Sequence, residues 1–529
     1  MMDPSSDDLA EQLKLLTLAA DSNDLSELQT VPIFTAQVRK HAEHMKAPTD
    51  LADGRLAGQG VFTQYGLLAA DAGADVAKAR SPGDKHDSRI FYNIAAPSSI
   101  FVCGSQGSGK SHTLSCLLEN CLFPSAANVL PRPLTGIVFH YDTFITDGGG
   151  EPCEAAYLAS NDGIKVRVLC APTNYNTMRE VYAKIPGVTV RPLRLDQRDL
   201  NTKRMMGLMG VDDSNGIPLY LHVVQRILRE LRMEHQDRGA AEGGQSQPFQ
   251  YAEFKERLGQ EALTPAQEAP LKQRLDTLQS FLVHKQAYSQ TSLTTARRNI
   301  PKSAQDDVGT DWTPQASQLT IVDLSCPCVK ADTACSLFNI CLSLFLEQGT
   351  KIGRVVALDE AHKYLGGANG APAESTDARA LTESLLSTIR LQRHQACRVI
   401  IATQEPSVSP ALLDLCSVTI VHRFTSPAWL KVLKDHLAGA GAESAALPGK
   451  TEEEKGDGRD GTAAALFAQI VGLRVGEALL FAPSAAVGVY ADGGAGDDGR
   501  VFRCLGGGVR KVRIRNRVTA DGGRSIMAA

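Results

Sequence analysis

Gly104, Ser105, Gln106, Gly107, Ser108, Gly109, Lys110 and Ser111 spell G-x-x-x-x-G-K-S between an apolar run, Ile100-Phe-Val-Cys103, and a helix start that includes His112. A phosphate chain carries several negative charges, and a loop whose backbone N–H groups turn inward at a helix N-terminus meets them with oriented dipoles. Glycine is required where a side chain would forbid the backbone angles or keep the phosphates away. In such a loop Lys110 reaches the β- and γ-phosphates as a point charge, and the Ser111 hydroxyl coordinates Mg²⁺. All nine residues from Gly104 to His112 are therefore candidates for nucleotide contact.

A second run, Arg354-Val-Val-Ala-Leu-Asp359-Glu360, sets two carboxylates at the end of an apolar strand. This is the usual partner of a phosphate loop: Asp359 holds the Mg²⁺ shell and Glu360 polarises the attacking water. The pair points to hydrolysis and not to nucleotide binding alone. Gln404 follows the next apolar strand and is a candidate to orient the water or sense the γ-phosphate, with a helix-capping or loop-bonding role as the alternative. Arg393 and Arg423 are candidates for stabilising transition-state charge, from the same or a neighbouring subunit, against structural salt bridges. Asp359-Glu-Ala-His362 also spells a box found in a large class of helicases. Those carry a second nucleotide-binding core with an arginine-rich motif, and no second core follows here.

These residues need strands to carry them. Gly136–Asp142, Ile164–Cys170, Val188–Leu195, Leu319–Asp323, Arg398–Ala402 and Ser417–Val421 read as buried strands. Helical stretches between them imply a parallel sheet, with ligands at the carboxyl ends of the strands. From 196 to 315 the pattern becomes helical: Tyr220, Val223, Val224, Ile227, Leu228 and Leu231 share one face, a loop is expected at 238–247, and Leu271, Leu275, Leu278 and Leu282 mark another helix. The division expected is an N-terminal arm, partly disordered, over 1–90 with a possible helix Leu9–Ala20; core segments 91–195 and 316–438 flanking a helical insertion, 196–315; a flexible loop, 439–462; and a C-terminal β extension, 463–529. In the last, Lys511, Arg513, Arg515 and Arg517 alternate along a strand. Three readings stand for them: a solvated edge strand, a strand reaching a neighbour's nucleotide, or a nucleic-acid contact.

At 529 residues the chain has room for one large elaborated domain or two to three domains. Its formal charge of −4 gives no overall attraction to DNA or an anionic membrane, which argues against a DNA coat protein. The twelve cysteines lack paired C-x-x-C spacing, and Cys326-Pro-Cys328 is a lone C-x-C. Thiols in buried strands suit a reducing compartment. The acidic start, Met-Met-Asp-Pro, is unlike a signal peptide, and the longest apolar helix candidate, Ala334–Leu346, falls short of a bilayer. The expectation is an intracellular protein, cytoplasmic or nuclear, with no membrane contact.

The chain resembles the HerA/FtsK superfamily of P-loop ATPases, on its HerA-like side. The likeness rests on Gly104–Ser111, Val355-Val-Ala-Leu-Asp-Glu-Ala-His-Lys-Tyr364, Ile400-Ile-Ala-Thr-Gln-Glu-Pro406, Val421-His-Arg423 and Gly476-Glu-Ala-Leu-Leu-Phe481. It covers about 95–518, with the helical insertion poorly matched. The resemblance implies an α/β, RecA-like P-loop NTPase core with a mostly parallel sheet, ATP with Mg²⁺, frequent hexameric rings and the pumping of DNA or polypeptide. It also supports Glu360 as base and Gln404 as sensor. Two departures stand out: the N-terminal β-barrel of HerA-type motors has no visible counterpart in 1–90, and of the early strand's end only Asp142 matches the family's acidic residue. A DNA-translocase relative is expected; the alternative is a non-motor, ATP-dependent switch acting on a protein partner.

Overall fold

Strands that are apolar on both faces need cover on both sides, and alternating strands need it on one. The computed structural model describes residues 27–44, 60–73, 87–143, 149–209, 219–241, 249–287, 308–366, 375–405, 408–436, 458–491 and 500–522. The chain divides into two units, Met1–Pro133 with Cys416–Val518, and Leu134–Leu415 with Thr519–Ala529. The first unit begins with β1 (Ile33–Thr35), β2 (Tyr65–Asp71), β3 (Arg89–Asn93), β4 (Ser99–Cys103) and β5 (Asn128–Val129). The second carries β6 (Thr135–His140), β7 (Lys165–Cys170), β8 (Val188–Pro192), β9 (Gln318–Asp323), β10 (Arg354–Leu358) and β11 (Cys397–Thr403). The chain then resumes the first unit with β12 (Val418–Val421), β13 (Glu477–Phe481), β14 (Ala486–Ala491), β15 (Arg500–Cys504) and β16 (Arg510–Ile514).

In the second unit the strand order is β11-β10-β6-β9-β7-β8, and every neighbouring pair is parallel. All residues of β6, β9, β10 and β11 are buried, as their uninterrupted apolar runs require. Helices supply the cover: Phe338, on the helix Ala331–Glu347, packs its ring 4.9 Å from that of Phe139 on β6 and 5.1 Å from that of Tyr364. This is an α/β architecture built on a parallel sheet. The block after β8 is helical, with Thr202–Leu208, Leu219–Ala241, Tyr251–Gly259 and Pro265–Phe281. Leu219–Ala241 buries Tyr220, Val224, Ile227, Leu228 and Leu231 and turns Arg226 outward onto Glu230 and Glu261. It runs on into the expected 238–247 loop as far as Ala241; 242–248 lie outside the described residues.

In the first unit the order is β15-β14-β1-β3-β2-β16-β13-β12-β4, with β5 beside β2. β4 and β12 are parallel and most of the other pairs antiparallel. Leu28, Val31, Phe34, Val38, Phe62 and Phe91 form a core under β1 and β3, with Phe34 and Phe62 stacked at 3.7 Å. The described part of 1–90 is therefore sheet and core, not the arm that local pattern suggested. β1 is three residues long and pairs with β14, far along the chain, so no window of sequence displays the alternation. The Leu9–Ala20 helix and most of the 439–462 loop fall outside the described residues; the helix expected over 463–472 spans Gly458–Val471.

The reading of the C-terminal cations as a solvated edge strand is corrected. β16 pairs with β13 on one side and β2 on the other, and so is interior. Lys511 and Arg513 reach Glu477 at 2.9 and 3.7 Å. Arg515 is buried: Nη1 lies 2.7 Å from Glu119 Oε2, Nη2 donates to the Cys116 carbonyl and Asn120 Oδ1, and Nε donates to the Leu67 carbonyl. Removing one partner of a buried pair strands the other charge, so Arg515→Met is expected to cost about 3–5 kcal/mol. Arg513→Gln, which loosens an exposed pair, is expected to cost at most about 1 kcal/mol. Urea titrations of the two variants against the parent chain measure the difference, and equal midpoints would contradict the structural role given to Arg515.

Candidate functional site

β4 delivers the chain, fully buried, to Gly104. Gly104, Gly107 and Gly109 have φ of +153°, +73° and +110°, in the region that favours glycine. At Gly104 a Cβ would also stand 2.6 Å from His422 Cβ and 2.8 Å from Ser108 Oγ, whereas at Gly107 nothing lies within 4 Å and the demand is conformational alone. The loop is tied at its base: Ser105 N and Oγ both donate to the Arg423 carbonyl at 2.9 Å, and Ser108 Oγ donates to the Ser105 carbonyl at 2.7 Å. Gln106 and Gly107 form its exposed tip. The helix Lys110–Leu122 starts with no side-chain cap and no acidic residue in its first turn. Its leading N–H groups and dipole are thus directed at an anion. Lys110, only 5% exposed, donates from Nζ to the Ser105 carbonyl at 3.1 Å, and Ser111 is half-buried beside it.

Two neighbours of the loop differ from expectation. His112 Nε2 donates to the Arg515 carbonyl at 2.8 Å, so its side chain serves the C-terminal strand and only its backbone N–H is available to a phosphate. His422, at the end of β12, is the residue the sequence reading named without a role. Its N–H donates to the Cys103 carbonyl at 2.7 Å, and Nδ1 faces the Glu477 carbonyl at 3.1 Å and Nε2 faces Thr113 Oγ1 at 2.9 Å. A carbonyl can only accept, so Nδ1 carries the proton and Nε2 receives the Thr113 hydroxyl. Burial, with Lys110 and His112 nearby, pushes this imidazole down to about 4. A neutral ring therefore braces the first turn of the loop helix against β13. Arg423 stays exposed next to Ser105.

In the second unit β10 and β11 run side by side and end in the carboxylates and the glutamine. Asp359 N donates to the Phe139 carbonyl, and its buried Oδ2 accepts from His140 Nδ1 at 3.0 Å and from Cys153 Sγ at 3.7 Å. Burial opposes ionisation of Asp359, but the bond to His140, its charge and that of Lys363 prevail and hold the carboxyl below its ordinary range. His140 is also penalised by burial, yet Cys153, Asp323 and Asp359 hold it well above the usual histidine value. Lys363 in turn reaches Asp142 at 3.0 Å.

Glu360 takes φ +50°, an uncommon conformation for a residue with a side chain. Its Oε1 accepts from Gln404 Nε2 at 3.1 Å. Its Oε2 is buried without a hydrogen-bond partner, although His362 Nδ1 stands 3.3 Å away; that nitrogen instead receives the Gln404 N–H at 3.4 Å. Such a carboxylate has one oxygen fixed by Gln404 and the other buried beside His362 without a hydrogen bond. Gln404 is thus brought to Glu360. Arg393 is not: it is exposed in the turn before Cys397, at the amino end of β11, the opposite end from Gln404. The length of the strand separates it from this carboxylate centre.

No family model and no curated protein matches the chain. Among solved structures it is similar to VirB4 of Thermoanaerobacter pseudethanolicus at 11% identity, over 85% of this chain and 97% of that one, with a TM-score of 0.37. It is also similar to the genome packaging NTPase B204 from Sulfolobus turreted icosahedral virus 2 in complex with AMP: 15% identity, 31% of this chain, 61% of that one, TM-score 0.20. The DNA-packaging ATPase B204 from Sulfolobus Turreted Icosahedral Virus gives 12% identity, 36% of this chain, 81% of that one and a TM-score of 0.21.

The neutral His422 carries a pH signature. Its folded value lies below its unfolded one, so between about pH 6.5 and 4 the unfolded chain binds the extra proton and stability falls as pH is lowered. At roughly 1.4 kcal/mol per unit, the full effect is about 3 kcal/mol. His422→Asn is expected to flatten that part of the stability profile relative to the parent chain. Parallel curves from pH 7 to 4 would mean that His422 is not held neutral.

Proposed function

We propose that the chain binds ATP with Mg²⁺ and hydrolyses it, as a HerA/FtsK-like P-loop ATPase related to DNA translocases. The observation that carries the hydrolytic part is Glu360, held by Gln404 through one oxygen and with the other, buried beside His362, left without a hydrogen bond. The phosphate part is supported by the three glycines at positive φ and the uncapped helix start behind them. Ser111 and Asp359 offer the oxygen donors that a hard cation requires, and Asp359 is held ionised. Mg²⁺, when bound, supplies neutralisation of charge on the phosphate oxygens. Lys110 exchanges the Ser105 carbonyl for a phosphate oxygen. Glu360 Oε2 draws the proton of the attacking water, and Gln404 keeps the carboxylate from rotating away.

Arg423, exposed beside the loop, is the better-placed of the two arginines for stabilising developing charge. Arg393 would serve only from a neighbouring subunit, as the hexameric rings implied by the motif resemblance would permit. A second reading, a non-motor switch acting on a protein partner, is favoured by one observation: Lys511, Arg513 and Arg515 are paired with Glu477 and Glu119 and do not form an unpaired basic track for DNA. A ring whose ATP turnover is stimulated by DNA supports the motor; a monomer or dimer with slow, DNA-independent turnover supports the switch.

Lys110→Ala is expected to weaken ATP binding, whereas Glu360→Gln is expected to retain binding and lose turnover by about 10² to 10⁵. Binding measured by fluorescent nucleotide and turnover measured by phosphate release separate the two. Parental turnover in Glu360→Gln would remove the base. If rings form, mixing Arg423→Ala with Glu360→Gln is expected to restore part of the activity; no recovery in mixed rings would place Arg423 in cis.

A further inference from the structure

Two donors of different softness converge on the carboxylate that the proposed reaction needs. His140 closes β6, Cys153 precedes the short helix Glu154–Ser160, and Asp359 follows β10. Asp359 Oδ2 lies 3.0 Å from His140 Nδ1 and 3.7 Å from Cys153 Sγ, and one ligand atom of each residue lies within 4.8 Å of the other two. All three residues are buried. Behind them Tyr182 accepts the Cys153 N–H at 3.0 Å and donates its hydroxyl to Asp323 Oδ2 at 2.6 Å, which fixes the backbone that presents the thiol.

We propose that His140, Cys153 and Asp359 form a binding site for a zinc ion, and that zinc bound there withdraws Asp359 from Mg²⁺ and arrests turnover. Zinc takes cysteine sulfur at about 2.3 Å, histidine nitrogen at about 2.0 Å and carboxylate oxygen at about 2.1 Å. Tetrahedral bonds of those lengths set nitrogen and oxygen about 3.4 Å apart, and sulfur and oxygen about 3.6 Å apart. The observed 3.0 and 3.7 Å lie within a few tenths of an ångström of both. Mg²⁺ asks for oxygen ligands and has no use for a thiol or imidazole, so the two additional donors select a softer cation at a carboxylate that Mg²⁺ also wants. The thiol proton of Cys153 and the Nδ1 proton that His140 shares with Asp359 both leave to solvent on binding, and a fourth position remains for water. Inhibition rests on the role proposed for Asp359; the metal site itself does not.

The test uses the full chain, stripped with a chelator and titrated with Co²⁺ as a spectroscopic probe, then with Zn²⁺. One equivalent and a thiolate-to-cobalt charge-transfer band are expected. Both should be lost in Cys153→Ser and retained when the exposed Cys328 and Cys504 are changed to serine. Partners that only orient a metal ligand are worth about 10- to 100-fold in affinity, so loss of a direct ligand is expected to weaken Zn²⁺ binding more than about 100-fold. His140→Gln gives the same readout should Cys153→Ser fold poorly, as judged by its melting curve. A band that persists in both variants, or none in the parent chain, overturns the site and leaves a hydrogen-bonded trio that merely orients Asp359. In Mg²⁺-ATP, Zn²⁺ should inhibit the parent chain and spare Cys153→Ser. A chain that binds cobalt through Cys153 but never hydrolyses ATP keeps the site and loses the ATPase; one that hydrolyses ATP without a thiolate–cobalt band loses the site alone.

Discussion

An ionised carboxylate taken out of water costs several kcal/mol unless its surroundings replace the lost solvation. Asp359 is 4% exposed, and much of the second unit can be understood as meeting that condition. His140 must end β6, the strand beside β10, because only there does its Nδ1 reach Oδ2. Cys153 must return to the same oxygen, and Lys363 must stand near enough to add its charge while spending its hydrogen bond on Asp142. The fully buried β6, β9, β10 and β11 supply the low dielectric that makes the charge costly and the compensating bonds strong. Glu360, one residue on, meets a different condition. It is less buried, one oxygen lacks a partner, and its backbone is held where side chains are uncommon. Two adjacent carboxylates are thus held by different surroundings.

The first unit repeats the principle with a different pair. Glu119 is wholly buried within the loop helix, and Arg515 neutralises it while spending its remaining donors on carbonyls and an amide. His422 sits at the other end of that helix, unprotonated, between Thr113 and β13. The helix that presents Lys110 is therefore anchored at its start by a neutral hydrogen bond and farther along by a charge pair. Both anchors come from residues beyond Cys416. This is why the loop geometry depends on segments far from it in sequence.

What could be read in advance was local. Gly104–Ser111 and Asp359-Glu360 are legible because each is a contiguous motif, and β6, β9, β10 and β11 because largely apolar runs admit few other fates. Gln404 was legible as a polar residue at a strand's carboxyl end. The misses are long-range. β1 and β14 are partners about 450 residues apart, so neither carries a visible pattern. Lys511 and Arg513 look like a solvated face until Glu477 and β2 are placed against them. Sequence alone does not say which end of a strand an arginine stands at, and Arg393 lies at the amino end of β11, away from Glu360 in the same chain. His140 and Cys153 had no spacing to announce them, since their common partner, Asp359, lies more than 200 residues further on.

The first unit is assembled from both flanks of the chain, with Leu134–Leu415 between them, and this sets an order of events during synthesis. The ribosome adds about 5–20 residues per second, so the roughly 280 intervening residues take roughly 15 to 60 s. Through that interval β2 has β3 and β5 but not β16, β4 lacks β12, and Glu119 is without Arg515. The second unit, whose strands lie within one stretch of chain, can condense while the earlier segments wait with open strand edges, which are adhesive to other nascent chains. A truncated product ending anywhere between Leu122 and Arg510 would carry every residue of the loop and its helix and yet lack the strand and the arginine that hold that helix. The loop motif is thus translated early, and its support is among the last segments to emerge.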